Sequence, residues 1–224
     1  MLIIDKYIPF VKETIGQTVL PDWQQVQVSA LEPEEITPQA VRNADALMVR
    51  TRTKINRELL EGSGVRLVAT ATIGYDHIDQ DYCRKTGIAW LSCPGCNAQA
   101  VCDYIEEALL EQKIPLNAKK IGIVGVGHVG TLVAQMAERY GMQVLLNDPP
   151  RNIGVSLDEI AHSCDVITFH TPLTRDGQYP TYHLCDEVFL QQCKPEALII
   201  NAARGGVVDE MALLRTKHPC VIDT

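Results

Sequence analysis

Ile121-Gly122-Ile123-Val124-Gly125-Val126-Gly127-His128-Val129-Gly130 is the stretch on which the reading of this chain turns. Ile121 to Val124 is a short apolar run of strand character, and Val129 to Tyr140 follows with a helical pattern. The glycines between them are spaced G-x-G-x-x-G, in the strand-to-helix setting where that spacing has a physical meaning. Gly125 permits a tight turn, Gly127 lets backbone approach a diphosphate, and Gly130 lets the helix pack on the strand. The opening helix then offers unpaired N–H groups and its positive dipole end to the same anion.

Strands and helices alternate on both sides of this turn. After it, Val144 to Leu146, Val166 to Phe169, Ala197 to Ile200 and Val221-Ile222 are predicted strands. Before it, Leu2-Ile3-Ile4, Val26 to Val28, Ala46 to Val49, Leu67 to Ala69 and Ile88 to Leu91 read the same way. Helices are predicted over Asn56 to Glu61 and His77 to Lys85, the latter stopped by Gly87. A longer helix, Asn97 to Gln112, joins the halves and ends at Ile114-Pro115-Leu116, where proline breaks the ladder. Near-continuous apolar strands alternating with helices predict an α/β protein with parallel sheets covered on both faces. The expected division is residues 1–94 as a first domain, 95–113 as a linker helix and 114–224 as a second domain.

The composition excludes several classes of function. The 224 residues are 46% hydrophobic, enough to build a core and too apolar for a disordered tail. A net charge of −8 without a long basic run argues against nucleic acid or an anionic membrane as the main partner. The charge-free stretch Ile121 to Ala137 is interrupted by polar residues and glycines and reads as part of the fold. Asp5 breaks the first apolar run and no basic segment precedes it, so the expected compartment is the cytoplasm. Cys83, Cys102, Cys164, Cys185, Cys193 and Cys220 read as reduced packing residues. Cys93-Pro94-Gly95-Cys96 has the spacing and the setting, after an apolar run and before a helical pattern, of a redox Cys-x-x-Cys, but it reads better as a strand-to-helix turn shaped by Pro and Gly. No further ligands stand at zinc-site spacing, so no metal is expected.

Three more segments carry chemistry. Asp148 lies 18 residues beyond Gly130 at the end of the next strand. A carboxylate there suits the hydroxyls of an adenosine ribose and repels a 2′-phosphate, which favours NAD over NADP; Arg151 stands close by. Phe169-His170-Thr171-Pro172-Leu173 and Asn201-Ala202-Ala203-Arg204-Gly205-Gly206 end two later strands at the same edge. Arg204, followed by two glycines, suits bidentate capture of a carboxylate, or alternatively a structural ion pair. In the first half, Arg50, Arg52 and Lys54 share one face of an extended segment, either as an anion site or as a solvated charge run.

Taken together, Arg50-Thr51-x-Thr53-Lys54, Thr72-Ile73-Gly74-Tyr75-Asp76-His77-Ile78-Asp79, the 125–130 turn, His170-Thr171-Pro172 and Asn201-Ala202-Ala203-Arg204-Gly205 resemble the D-2-hydroxyacid dehydrogenases over the whole chain. Ala69-Thr70-Ala71-Thr72, Cys93 to Ala98 and Asn147-Asp148-Pro149-Pro150 resemble the branch that oxidises 4-phospho-D-erythronate to its 2-oxo acid in pyridoxal phosphate (vitamin B6) synthesis. The resemblance implies a flavodoxin-like substrate domain, a doubly wound Rossmann-type NAD domain and a homodimer. It implies NAD contacts at Gly125, Gly127, Gly130, Asp148, Thr171, Ala202, Ala203, Arg204 and Asp223, substrate contacts at Thr51 and Thr72, and a catalytic role for Arg204.

The same resemblance implies a catalytic His, with a supporting Glu, beyond residue 224, and none of the six histidines present is expected to replace it. The stop at Asp223-Thr224, directly after an apolar strand, is read as a truncated NAD domain, and these residues alone are expected to show little dehydrogenase activity. Three other readings stay open on the residues: a dehydrogenase of the 3-phosphoglycerate type, a non-catalytic NAD-binding protein, and a thiol redox protein using Cys93 and Cys96.

Overall fold

A computed structural model describes residues 1–9, 26–113 and 115–223. They form two compact units, Met1–Cys96 and Asn97–Thr224.

The first unit is built on five parallel strands: β1 (Leu2–Asp5), β2 (Val28–Leu31), β3 (Ala46–Val49), β4 (Leu67–Thr70) and β5 (Ala89–Leu91). Their order, β2-β1-β3-β4-β5, is the flavodoxin-like arrangement. Helices α1 (Pro38–Val41), α2 (Arg57–Leu60) and α3 (Gln80–Thr86) connect them. Asn56 and Asp79 accept from backbone N–H groups at the starts of α2 and α3, and Gly87, in the left-handed region, stops α3. Ile3, Leu47, Val49 and Val68 from the strands pack against Val41, Leu59, Leu60 and Cys83.

Two expectations are corrected here. The strand placed at Val26 to Val28 runs from Val28 to Leu31, because parallel pairing aligns Leu2 with Val28. As an edge strand it alternates between exposed and half-buried residues, so its apolar run was a poor guide. The basic cluster is not one stripe. Arg50 is bound to Asp5, whose carboxylate is fully buried, through Nε–Oδ2 at 3.0 Å and Nη2–Oδ1 at 3.3 Å, while Arg52 pairs with Glu34 at the surface.

The second unit begins with α4 (Ala98–Glu111), followed by β6 (Lys120–Val124), α5 (His128–Arg139), β7 (Gln143–Asp148), β8 (Ile153–Gly154), α6 (Leu157–Ser163), β9 (Val166–Phe169), α7 (Glu187–Gln192), β10 (Leu198–Asn201), α8 (Glu210–Thr216) and β11 (Cys220–Ile222). The sheet order is β11-β10-β9-β6-β7-β8, the doubly wound dinucleotide-binding pattern. The helix read as a linker is an integral part of this unit. Cys102, Ile105 and Leu109 of α4 share one core with Val133 and Met136 of α5 and with Ile121 and Ile123 of β6. Its expected end includes Ile114, which lies outside the described residues.

The antiparallel pairing of β7 with β8 was not foreseen. Asn152 at φ 55° and Gly154 at φ 83° turn the chain back, and a Cβ at Gly154 would fall 1.8 Å from the Leu146 carbonyl oxygen. Cys220 is exposed, against the reading of it as a packing residue. Cys164 and Cys193 are buried as expected, which pushes their thiols up to about 11 and about 12. Among the described residues no helix is long and apolar enough to cross a membrane.

The Asp5–Arg50 pair gives the first prediction. Arg50→Met leaves a buried carboxylate without its cation and should destabilise the first unit by about 3–5 kcal/mol. The double variant Asp5→Leu/Arg50→Met should recover most of that loss. Urea unfolding followed by tryptophan fluorescence checks both, since Trp90 lies in β5 of this unit.

Candidate functional site

The glycine turn is shaped by contacts that exclude side chains at two positions and leave a third open. Gly125 has φ 93°, and a Cβ there would lie 2.8 Å from the His170 backbone. A Cβ at Gly130 would lie 2.0 Å from the Gly125 carbonyl oxygen, so this glycine is what lets α5 start directly over the end of β6. Around Gly127 nothing lies within 4 Å of the Cβ position. The open side of the turn is therefore at the N-cap of α5, where the unpaired N–H groups and the helix dipole favour an anion.

Two residues from the end of β7 hold the turn. The Val126 N–H donates to Asp148 Oδ2 at 2.9 Å, and the Arg151 guanidinium donates to the Val126 carbonyl. The two peptide groups that flank the Val126 Cα are thus each held, one through its N–H and the other through its carbonyl.

On the other flank, the His170 N–H donates to the Val124 carbonyl at 2.7 Å, which brings the end of β9 against the turn. His170 Nε2 lies 3.0 Å from Thr168 Oγ1, and desolvation lowers its pKa to about 4, so the ring is neutral at physiological pH. Thr171 Oγ1 is buried without a hydrogen-bond partner. An orphaned hydroxyl of this kind is expensive unless a ligand completes it. Gly125, Gly127, Asp148 and Thr171 all line one cavity of about 950 Å³, within the size range of small-molecule sites.

Ala202, Ala203, Arg204 and Asp223 lie outside the wall of that cavity, at the ends of β10 and β11. Asn201, whose side chain is buried, organises them. Its Nδ2 donates to the Arg204 carbonyl at 2.9 Å, its Oδ1 accepts from the Ala203 N–H at 3.1 Å, and its own carbonyl accepts from the Asp223 N–H at 2.9 Å. Arg204 Nη1 also donates to the Ala203 carbonyl at 2.8 Å.

In the first unit, Thr51 and Thr72 follow β3 and β4, neighbouring strands in which Val49 pairs with Thr70. Thr51 lines a cleft of about 540 Å³ together with Lys54, Asn56, Asp76 and His77. Thr72 is outside its wall; its hydroxyl donates to the Gly74 carbonyl at 2.8 Å and lies 2.7 Å from Thr70 Oγ1. Cys93 to Cys96 forms a turn between β5 and α4, with both cysteines exposed.

The positioning roles of Asn201, Arg151 and Thr168 could not be anticipated. Each acts on the backbone or ring of a residue brought near by the sheet, and no spacing in the chain announces such a contact.

Residues 101–218, over half of the chain, match the family described as D-isomer specific 2-hydroxyacid dehydrogenase, NAD binding domain. Erythronate-4-phosphate dehydrogenase of Bacteroides fragilis is 47% identical over 95% of this chain, which spans 62% of that relative. The protein of the same name from Bacteroides thetaiotaomicron is 46% identical over 99% of the chain, which spans 65% of it. Among solved structures, the D-lactate dehydrogenase of Aquifex aeolicus, complexed with NAD and lactic acid, aligns at a TM-score of 0.76 with 25% identity, covering 100% of this chain and 77% of that one. The NAD+-bound 3-phosphoglycerate dehydrogenase of Entamoeba histolytica aligns at 0.82 with 24% identity, covering 99% and 79%, a likeness of fold. A cradle closed by Gly125 and Gly130, an acceptor at the end of the adjacent strand and a match running from α4 into the segment before β11 agree with one another: the chain belongs to the D-isomer specific 2-hydroxyacid dehydrogenases.

Proposed function

We propose that this chain is part of an NAD-dependent dehydrogenase that oxidises 4-phospho-D-erythronate to its 2-oxo acid, a step of pyridoxal phosphate synthesis, and that it works as a cytoplasmic homodimer. The reading of the substrate rests on the 46% and 47% identity to relatives bearing the name of that activity. The reading of the coenzyme rests on one feature of the fold, the open backbone at Gly127 facing a cavity that also holds the orphaned Thr171 hydroxyl.

When bound, NAD supplies the two-electron acceptor that oxidation of a 2-hydroxy acid requires. Gly127 and the first turn of α5 receive the diphosphate, and Asp148 receives the ribose hydroxyls while repelling a 2′-phosphate. Thr171, Ala202, Ala203, Arg204 and Asp223 are further coenzyme contacts in this reading. The Arg204 fork matches a carboxylate and would stabilise charge at the reacting end of the substrate. Asn201 is a positioning residue, holding the Arg204 carbonyl through its Nδ2 and the Ala203 N–H through its Oδ1. Thr51 and Thr72 are proposed as substrate ligands.

Oxidation also removes the proton of the C2 hydroxyl. His170 is poorly suited to accept it, because a pKa of about 4 makes it a weak base and Thr168 engages its Nε2. We assign the base to a histidine, paired with a glutamate, outside the described residues, as the family resemblance implies.

Three outcomes are expected. The purified chain should bind NADH in preference to NADPH, read from coenzyme fluorescence, and the whole protein of which it is part should turn over 4-phospho-D-erythronate in preference to 3-phosphoglycerate; folded chain that ignores NADH, or a whole protein that prefers the three-carbon acid, would contradict the reading. Gly127→Ala should weaken NADH binding by at least about tenfold. Its melting temperature should stay unchanged, since the added methyl meets nothing within 4 Å. His170 supplies a pH signature. Its folded pKa of about 4 lies below the ordinary 6.5, so its contribution to stability is complete above pH 6.5 and is lost as pH falls towards 4. That contribution is on the order of 3 kcal/mol. In urea melts across this window, His170→Gln should lose less stability than the wild type; equal slopes would refute the assignment.

A further inference from the structure

The cavity that holds the glycine turn has a wall that none of the residues discussed so far explains. It runs from Gly125 and Gly127 past Asp148 to Pro149, Ile153 and Leu157, on the β7 side of the sheet, and it is closed by the segment 174–181, which comes from the end of β9. Gln178, Tyr179 and Pro180 at the tip of that segment all line it.

This loop is built in place. Thr174 and Thr181 clasp its base: the Thr174 N–H donates to Thr181 Oγ1 at 2.8 Å, and the Thr181 N–H donates to the Thr174 carbonyl at 3.0 Å. The Tyr182 N–H donates to the same carbonyl at 2.9 Å, and the Thr181 hydroxyl donates to the Pro172 carbonyl. At the tip, Gln178 Nε2 donates to the Tyr179 hydroxyl at 3.1 Å, and Tyr179 remains 42% exposed. A half-exposed aromatic ring, held by its hydroxyl on a pinned loop at the edge of a largely apolar cavity, has the form of a stacking platform whose ordering cost is already met.

The order of groups along the cavity says which part of a ligand reaches it. The glycine turn takes phosphates and Asp148 takes ribose hydroxyls, so what lies beyond Asp148, away from Arg204, is the base on that ribose. The lining there is mostly proline and aliphatic side chains with one tyrosine, and its polar members, such as Asn152, Ser156 and Gln178, carry no cation, which suits a planar heteroaromatic ring better than a phosphate.

We propose that Tyr179 is a coenzyme-binding residue, and that the clasped loop 174–181 forms a preformed wall against which the adenine base stacks. The inference rests on the coenzyme reading given above and adds a residue to it. The Arg175–Tyr182 contact of 3.8 Å, with Tyr182 stacked on His183 at 3.9 Å, braces the loop just outside the clasp.

The test is a set of binding titrations on the purified protein with NADH, ADP-ribose and reduced nicotinamide mononucleotide. Tyr179→Ala should weaken NADH and ADP-ribose alike by about tenfold, leave the mononucleotide unchanged and keep the wild-type melting curve. Tyr179→Phe should bind within about twofold of wild type, because the ring and not the hydroxyl carries the stacking. Thr181→Val, which removes the hydroxyl that clasps the base of the loop and keeps the Tyr179 ring, should weaken ADP-ribose too. Wild-type affinity for ADP-ribose in Tyr179→Ala overturns this inference and leaves the coenzyme reading standing. Failure of the wild type to bind either NADH or ADP-ribose overturns both.

Discussion

Three pieces of backbone meet at the carboxyl end of β6 with no space for a side-chain carbon between them, and the second unit is arranged around that meeting. Gly125 faces the His170 backbone and Gly130 faces the Gly125 carbonyl, each at a distance that a Cβ would violate. The first approach joins the end of β9 to the turn, and the second sets α5 over the strand. The strand order reverses at this point, with β7 on one side of β6 and β9 on the other, so the approach also opens the crevice that doubly wound sheets use for ligands. Gly127, in the middle, is the residue whose missing side chain faces open space.

Around this contact, polar side chains hold the segments that carry the chemistry. Asp148 and Arg151 hold the N–H and the carbonyl of Val126, and Asn201 ties the loop ahead of Arg204 to the end of β11. Leaving a buried group such as the Asn201 amide unpaired costs about 1–3 kcal/mol, which keeps it in one arrangement and gives its loop the precision of the strands beside it. Thr171 is the exception, a buried hydroxyl with no partner on the wall of the cavity. Such an exception is most economically read as a group waiting for a ligand.

The first unit follows a similar logic with a different device. Its loops after β3 and β4 carry Thr51 and Thr72, and the loop after β3 is anchored by Arg50 reaching back to the buried Asp5 carboxylate at the end of β1. A cluster of cations that looks like one anion site on paper is divided by geometry into a structural pair, a surface pair and a lysine at the edge of a cleft.

The alternation of apolar runs with helical patterns, the glycine spacing and the placement of Asp148, His170 and Asn201 at strand ends are all local facts. They were legible because period, turn chemistry and strand termination depend on residues close together in the chain. The α/β class, the glycine cradle and most strands follow from them. Other features were decided only when distant segments came together. The strand near residue 28 took its register from pairing with β1, the supposed linker helix joined the second core because Ile105 and Leu109 found α5 and β6, and β8 turned antiparallel where Asn152 and Gly154 allowed it. The partners of Arg50, Arg151 and Asn201, and the threonine clasp that sets Tyr179 at the cavity edge, belong to the same group. Their hydrogen bonds join segments whose nearness is a product of sheet order, and sheet order depends on which buried faces pack together, a property of the whole fold and of no single stretch of chain.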